Sequence, residues 1–207
     1  MSRDRRPTMP AVEAYQRARA LIDAAHSADP VRTATGQPAE LAYADRMETW
    51  VARLAPTAAS VLRLAARCQH LERWSVPRAT FSLDKPGYHA WRRLLYTKQA
   101  DRARELLLQA GVPEVEANAA ATWVSKTGLK TNAGTQALED AACLVFLENE
   151  ISNFAGQHAE YPRGKFVEIV RKTWRKMSPE AQHAALALDL PPAIGDLVRE
   201  AVGDGAA

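Results

Sequence analysis

Apolar residues recur at steps of three and four along nearly the whole of this sequence, which is the spacing of helices that bury one face. In residues 39–54, for example, Tyr43, Met47, Trp50 and Val51 share one stripe. Alanine is abundant and β-branched residues are thinly spread, so the composition favours helix as well. The sequence therefore predicts an all-α protein.

The length of 207 residues, 47% of them hydrophobic, fits one domain with a proper core better than two. We predict a single helical bundle over residues 11–203, with residues 1–10 as a disordered basic lead and 204–207 as a frayed tail. About nine helices are predicted, at approximately residues 11–26, 39–54, 58–74, 88–110, 113–128, 135–156, 166–177, 179–190 and 192–202. Thr57 and Ser178 are predicted to cap the starts of the third and eighth helices, and Gly111 to end the fourth in a left-handed conformation.

Several functional classes are disfavoured by what the sequence lacks. It has no uninterrupted apolar run of membrane-spanning length and no apolar core of a signal peptide near Met1, so we expect a soluble, cytoplasmic protein without membrane contact. Cys68 and Cys143 lie in apolar helical stretches, which predicts reduced, structural thiols. No phosphate-binding glycine loop, dinucleotide fingerprint or zinc-binding spacing is present. The net charge of +3 does not require a nucleic-acid partner.

The end of the third predicted helix carries a cluster of hydrogen-bonding and cationic side chains, including His70. Cys68 lies on the core-facing side of this helix, whereas His70 shares the opposite side with Arg67, and Pro77 ends the helix near Trp74. A second layer of helices, or the following loop folding back, would enclose the histidine. His70 is predicted either to contact a ligand or substrate, or simply to favour the helix dipole when protonated.

The sixth predicted helix is apolar around most of its circumference and is expected to be central. Asp140 lies on the side that also carries Leu144 and Leu147. Burying a carboxylate there without a partner is unfavourable, so we expect a metal, a histidine or an arginine such as Arg67 beside it. Glu139 could share this role, and both a functional contact and a structural ion pair or cap stay open.

These observations define one dispersed candidate site. Its predicted catalytic residues are His70, Glu139 and Asp140. Its predicted substrate-binding residues are aromatic or cationic and comprise Tyr43, Arg46, Arg73, Trp74, Arg78, Tyr88, Arg92, Lys126 and Lys172.

Five short motifs resemble a family of small bacterial and fungal proteins that is known only as a domain of unknown function and is sometimes mislabelled as glutamyl-tRNA synthetase. The resemblance spans most of the chain and implies no established activity. The motifs are Arg46-Met47-x-x-Trp50, Arg67-x-Gln69-His70-x-x-Arg73-Trp74-x-x-Pro77-Arg78, Gly87-Tyr88-x-x-Trp91-Arg92, Leu138-Glu139-Asp140-x-x-Cys143 and Lys172-Thr173-Trp174-Arg175-Lys176.

A more distant resemblance is to the HD phosphohydrolases, all-helical enzymes that hold divalent metals with an early histidine, a His-Asp doublet and a late aspartate. His70 is similar to the histidine of the doublet and Asp140 to the late aspartate. The sequence departs from the pattern in two places, because Leu71 replaces the aspartate of the doublet and Tyr43 lies near the position of the early histidine. The resemblance implies an HD-like bundle and a divalent metal held by His70 and Asp140.

Two functional hypotheses follow. In the first, the protein is an HD-like enzyme of hydrolase type acting on a small phosphorylated or otherwise anionic metabolite. His70 then serves as metal ligand or general acid/base, Asp140 and Glu139 bind metal or orient His70, and the cations neutralise the substrate. In the second, a non-catalytic helical module binds an anionic ligand, a protein partner or RNA through the basic faces of the fourth and seventh helices. The sequence decides neither the substrate nor the oligomeric state.

Overall fold

Helices make up almost all of the secondary structure in the computed structural model, which describes residues 11–203. The predicted lead, 1–10, and tail, 204–207, lie outside these residues. A π-helical turn over Phe146–Glu150 joins α6 to α7, and two 3-10 turns, Arg73–Ser75 and Arg78–Thr80, precede α4. The ten α-helices of the described chain are α1 Ala11–Ser27, α2 Ala39–Leu54, α3 Ser60–Arg67, α4 Lys85–Ala110, α5 Glu114–Val124, α6 Ala133–Val145, α7 Ile151–Gln157, α8 Arg163–Trp174, α9 Pro179–Leu186 and α10 Pro192–Val202.

The helices pack around one main core, which confirms the predicted all-α, single-domain architecture. Helix α2 packs on α3 and α6, α4 packs on α5 and α1, and α8 packs on α10. A small second cluster of Val76, Trp91 and Leu95 lies beneath the segment between α3 and α4. No helix within residues 11–203 combines the length and the apolar character needed to cross a membrane.

Several predicted helix ends are confirmed by their local chemistry. Helix α4 ends where Gly111 adopts a φ of 91°, the left-handed conformation that glycine accepts without strain. The Ser178 side chain accepts a hydrogen bond from the backbone N–H of Ala181, and Pro179 follows at the first helical position of α9. Cys68 and Cys143 are free and buried, as predicted.

Three predicted helices required correction. The third helix begins at Ser60, so Thr57 does not cap it, and it ends at Arg67 because His70 and Glu72 adopt left-handed backbone conformations. The fifth ends at Val124 and not at Gly128. The sixth is divided by the π-helical turn, which accounts for ten helices where about nine were predicted.

Arg67 is almost completely buried, although the sequence placed it on the outer side of its helix. Its guanidinium donates to Asp45 Oδ1 at 2.7 Å and Glu48 Oε2 at 2.8 Å, both on α2, and through Nε to Asp23 Oδ1 of α1 at 2.9 Å. His26 Nε2 donates to the Arg67 carbonyl at 2.7 Å. Arg67 therefore ties α1, α2 and α3 together, and the expected ion pair between Arg67 and Asp140 is wrong.

We expect Arg67→Met to lower the free energy of unfolding by about 3 kcal/mol, because the substitution leaves three carboxylates without their shared cation. The loss falls at the lower end of the range for buried ion pairs, since Asp23 and Asp45 are partly exposed to water. Chemical denaturation measures it. Arg63→Met is the control, because Arg63 lies on the same helix and makes no ion pair within the described chain. Equal effects of the two substitutions would contradict this role for Arg67.

Candidate functional site

A cavity of about 300 Å³ opens between α2, the turn after α3, α4, α6 and α8. It brings together seven of the residues that the sequence assigned to the site, from five separate segments of the chain. Two of the three predicted catalytic residues are among them. The seven are Tyr43, His70, Arg73, Tyr88, Arg92, Lys126 and Glu139.

The cavity also contains polar residues that sequence reasoning missed. Gln69 directly precedes His70, and Gln99 lies one turn beyond Leu95 on α4. Their positions next to these residues could have identified both glutamines as candidates for the site. Glu150 reaches the cavity through the π-helical turn, for which the sequence gave no signal. Tyr96, Thr173 and Lys176 complete the missed polar lining.

Asp140 does not line the cavity. Its Oδ1 accepts hydrogen bonds from the backbone N–H of Ser178 and from Gln136 Nε2, both at 2.8 Å. The carboxylate therefore holds the start of α9 against α6. This contact matches the structural alternative that the sequence left open for Asp140, a cap.

Four predicted substrate-binding residues also lie outside the cavity. Arg78 donates to the carbonyls of the loop before α4, Lys172 pairs with a glutamate on the exposed face of α8, and Trp74 lies in the 3-10 turn beyond the lining. Arg46 lines a neighbouring groove. Helical spacing could not place Trp74 and Arg78, because the chain changes direction between α3 and α4. Arg46 and Lys172 lie on regular helices, but on faces that do not meet the cavity.

His70 forms one wall of the cavity, and its imidazole stacks on Tyr43 with ring centroids 4.1 Å apart. Arg73 Nη1 lies 2.9 Å from His70 Nε2, so Nε2 accepts and the ring proton resides on Nδ1. Nδ1 in turn donates to Glu40 Oε2 at 3.2 Å. Burial lowers the pKa of His70 well below its usual value, and the cations Arg73 and Lys126 lower it further. The imidazole is therefore neutral at pH 7.

Glu40, which sequence analysis did not single out, holds His70 from α2. Burial raises the pKa of Glu40 to about 7, although Arg73 opposes the shift. The buried Asp29 accepts a hydrogen bond from the Glu40 backbone N–H at 2.9 Å and fixes the start of α2. The orientation of the imidazole thus depends on a carboxylate with a well-anchored backbone.

Glu139 carries the carboxylate on the opposite wall, where it forms ion pairs with Lys126 and Lys176. Burial alone would raise the pKa of Glu139, but the two ammonium groups more than offset it and the pKa is lowered. Glu139 is therefore ionised at pH 7. Its charge compensates only part of the positive charge around the cavity, which has four cationic side chains in its lining.

Arg92 organises two tyrosines at the mouth of the cavity. Its Nε donates to Tyr96 Oη at 2.8 Å and its Nη1 donates to Tyr88 Oη at 3.1 Å. Because both hydroxyl oxygens accept from the guanidinium, their O–H groups remain able to donate to a ligand. Arg92 makes no ion pair with a carboxylate among residues 11–203.

Gln69 and Gln99 are each 3% exposed, and their side-chain N–H groups find no acceptor in the described part of the chain. Both line the cavity. Buried donors are normally satisfied, because an unpaired one loses its hydration without compensation. His26 Nδ1 and Gln136 Oε1 are also buried without a partner but lie outside the cavity lining, so the cavity holds two of the unpartnered buried groups of the described chain.

The backbone around the cavity is strained. Of the described non-glycine residues, His70, Glu72, Lys126 and Lys130 have positive φ angles, between 51° and 76°. His70 and Lys126 line the cavity, and Glu72 follows closely. Each left-handed residue costs about 1–2 kcal/mol, and such strain concentrates at functional sites.

Comparison with known protein families gives one result. The model of a family described as a domain of unknown function (DUF4202) matches residues 16–198. The chain belongs to this family. No curated protein and no solved structure matches the chain. The HD-like arrangement therefore stays a resemblance.

The metal that the HD resemblance implies does not suit the side chains of this DUF4202 member. His70 Nε2 already accepts from the Arg73 guanidinium, and Asp140 is bound to a backbone N–H on α9. Within the described residues, no group of three or more His, Cys, Asp or Glu side chains is arranged to hold a metal ion. The divalent metal stays a prediction from the resemblance, and no chemical step below depends on it.

We expect Lys126→Met to make folding of this DUF4202 chain more sensitive to acid. A carboxylate with a lowered pKa contributes stability above its unfolded-state value and loses it as the pH falls through the folded-state value. When Lys176 is the only cation left to oppose the effect of burial, the pKa of Glu139 rises. The loss of stability therefore begins at a higher pH. Unfolding free energies measured between pH 3 and pH 7, a range around the usual glutamate pKa of about 4.3, test this.

Lys130→Met is the matched control for that measurement. Lys130 shares the left-handed backbone of Lys126, but its ammonium donates to an exposed carbonyl, that of Arg175. The control should follow the pH profile of the unchanged protein. A Lys126→Met profile parallel to that of the control would contradict the assigned ion pair.

Proposed function

We propose that this protein is an enzyme of hydrolase type that binds a small phosphorylated or similarly anionic metabolite in the central cavity. In this proposal the neutral imidazole of His70 takes a proton from the attacking water and later returns it to the leaving group. The observation that carries the proposal is a partly buried, uncharged histidine that shares one cavity with cationic side chains. A neutral imidazole can accept a proton, and the cations stabilise negative charge that develops beside it.

The anion is expected to lie between Arg73 and Arg92. The two lysines of the cavity already share the charge of Glu139, whereas these arginines have no carboxylate partner within residues 11–203. An arginine presents several N–H donors in one plane and matches phosphate or carboxylate oxygens well. The hydroxyls of Tyr88 and Tyr96 add donors that suit the same oxygens.

Anion binding and activation of His70 are coupled through Arg73. In the structure the Arg73 guanidinium donates to His70 Nε2, the atom that must accept a proton. A bound anion competes for that guanidinium and releases Nε2. Glu40, which accepts the hydrogen bond from Nδ1–H, then stabilises the imidazolium as it forms.

The proposed reaction is hydrolysis of a phosphate ester. His70 Nε2 takes a proton from water as the water oxygen attacks phosphorus, and the bond between phosphorus and the ester oxygen breaks. The leaving oxygen then takes the proton back from the imidazolium, so the products are an alcohol and phosphate. Arg73 and Arg92 neutralise the charge on the phosphoryl oxygens.

The basic faces of the fourth and seventh predicted helices, now α4 and α8, give weaker support to the alternative of a binding module. Arg102 pairs with Glu72 at 3.0 Å, and Lys172 pairs with Glu168 at 2.6 Å. Surface cations that are matched to neighbouring carboxylates contribute little to binding a polyanion. Arg93 and Lys98 on α4 and Arg171 on α8 have no carboxylate partner within residues 11–203, so the alternative rests on them. Unlike Arg73 and Arg92, these three do not line the central cavity.

We expect His70→Asn to lower turnover of phosphate monoesters about a hundredfold or more, the usual contribution of a general acid or base. Asparagine tolerates the left-handed backbone at this position, so the fold should persist, whereas alanine would add strain. Phosphate release from a panel of monoesters measures turnover, and circular dichroism checks the fold. His183→Asn, on the exposed face of α9, is the matched control and should leave turnover unchanged.

If His70→Asn hydrolyses the same esters at the rate of the unchanged protein, the acid–base role is wrong. If no ester is hydrolysed but sulfate binds and Arg73→Gln weakens that binding, the cavity is a binding site and the catalytic part of the proposal is overturned.

We expect sulfate to bind more tightly as the pH falls from 8 to 5.5. Burial, and after it the charges of Arg73, Lys126 and Arg92, hold the pKa of His70 low. A dianion beside Arg73 and Arg92 offsets the second cause, so this pKa rises in the complex and binding takes up protons as the pH falls. Sulfate keeps its own charge over this range. Calorimetry in two buffers with different ionisation enthalpies measures how many protons are taken up when sulfate binds. Because Glu40 also titrates near 7, the same measurement on His70→Asn shows which of the two residues takes up the proton. Equal proton uptake in the variant would contradict the assignment to His70.

A further inference from the structure

A second, wider groove of about 740 Å³ adjoins the central cavity. Three residues line both hollows: Arg73, Phe146 and Glu150. The two spaces therefore share a wall that includes Arg73, whose guanidinium donates to His70 on the cavity side. The groove is not needed for the reaction proposed above, so its lining requires a separate explanation.

One side of the groove is the loop between α1 and α2, which holds its own shape. The Thr33 N–H donates to the Gln37 carbonyl at 2.8 Å, and the Thr33 and Thr35 hydroxyls are 2.9 Å apart. The turn between them needs Gly36, whose φ is 83°. Asp29 accepts from the N–H of Val31 at 2.9 Å and fixes the start of the loop. This side of the groove therefore presents hydroxyl and amide groups on a backbone whose conformation is fixed by hydrogen bonds.

The opposite side carries Asn149, Asn153 and Gln157 at four-residue steps along the π-helical turn and α7. Asn149 Oδ1 is buried and has no hydrogen-bond donor in the described part of the chain. Uncharged amides both donate and accept, which suits the hydroxyl groups of a ligand. Arg46 also lines the groove, where its charge acts on the Glu150 carboxylate. Among the groove residues, Phe154 adds an aromatic surface.

We infer that the two hollows hold one ligand, a sugar phosphate, with the phosphate in the central cavity and the sugar in the groove. The inference rests on the proposed function for the phosphate end and extends it to the substrate class. Arg73, at the junction, contacts the phosphate and separates the charged part of the ligand from its hydroxyl-rich part. The amide groups of Asn149, Asn153 and Gln157 exchange hydrogen bonds with the sugar hydroxyls.

Calorimetry with inorganic phosphate, glycerol 3-phosphate, glucose 6-phosphate and glucose tests this inference on the full chain. We expect glucose 6-phosphate to bind about tenfold more tightly than inorganic phosphate, a difference of about 1.4 kcal/mol. Glycerol 3-phosphate should lie between them, and glucose alone should bind weakly.

Asn149→Leu and the more exposed Asn153→Leu should each reduce the preference for glucose 6-phosphate and leave the affinity for inorganic phosphate unchanged. Asn118→Leu, on an exposed face of α5, is the matched control and should retain the preference. Using two groove variants keeps the test valid if substitution in the π-helical turn impairs folding.

Equal affinities for the two phosphates in the unchanged chain, both weakened by Arg73→Gln, would overturn the inference and leave the proposed function standing. A preference that persists in both groove variants would also overturn it, because the sugar would then be bound elsewhere. If neither phosphate binds, both proposals fail.

Discussion

The burial of the Arg67 guanidinium determines how the first three helices meet. Its donors reach carboxylates on α1 and α2, while its own carbonyl accepts from His26, so the end of α3 is fixed from two directions. The residues directly after it must turn, and that turn brings His70 against Tyr43 and Glu40 of α2. A structural ion-pair network thus places the imidazole, although none of its carboxylates lines the central cavity.

Buried polar groups in this protein fall into two sets with different energetics. Arg67, Asp29 and Asp140 are fully engaged with backbone or side-chain partners and stabilise the packing of helices. Gln69 and Gln99 lack acceptors for their N–H groups among residues 11–203. His26 Nδ1 and Gln136 Oε1 are also buried without a partner, although neither residue lines the central cavity. What distinguishes Gln69 and Gln99 is their position in one cavity beside Arg73 and Arg92, which have no carboxylate partner within residues 11–203.

Helical periodicity and end signals predicted the framework because they depend on neighbours in sequence. The buried stripe of α2, the left-handed Gly111 and the Ser178 cap are all local features, and each is confirmed. The partners of Asp140 and Arg67 could not be predicted, since both depend on which helices meet in space. Periodicity showed that a carboxylate at position 140 was buried, but only the tertiary structure shows that α9 receives it.

The features that sequence could not predict are concentrated around the cavity. A non-glycine residue in the left-handed region, such as His70 or Lys126, has no sequence signal, because its intrinsic preference is for the right-handed helix. The same is true of the π-helical turn that carries Phe146 and Glu150 to the wall shared by the two hollows. Both departures cost free energy that a regular helix would avoid, and π-helical turns often occur at functional sites. These departures surround one cavity, whereas the helices that support the cavity are regular. This distribution is expected of a site that is kept for binding or chemistry at some cost in stability.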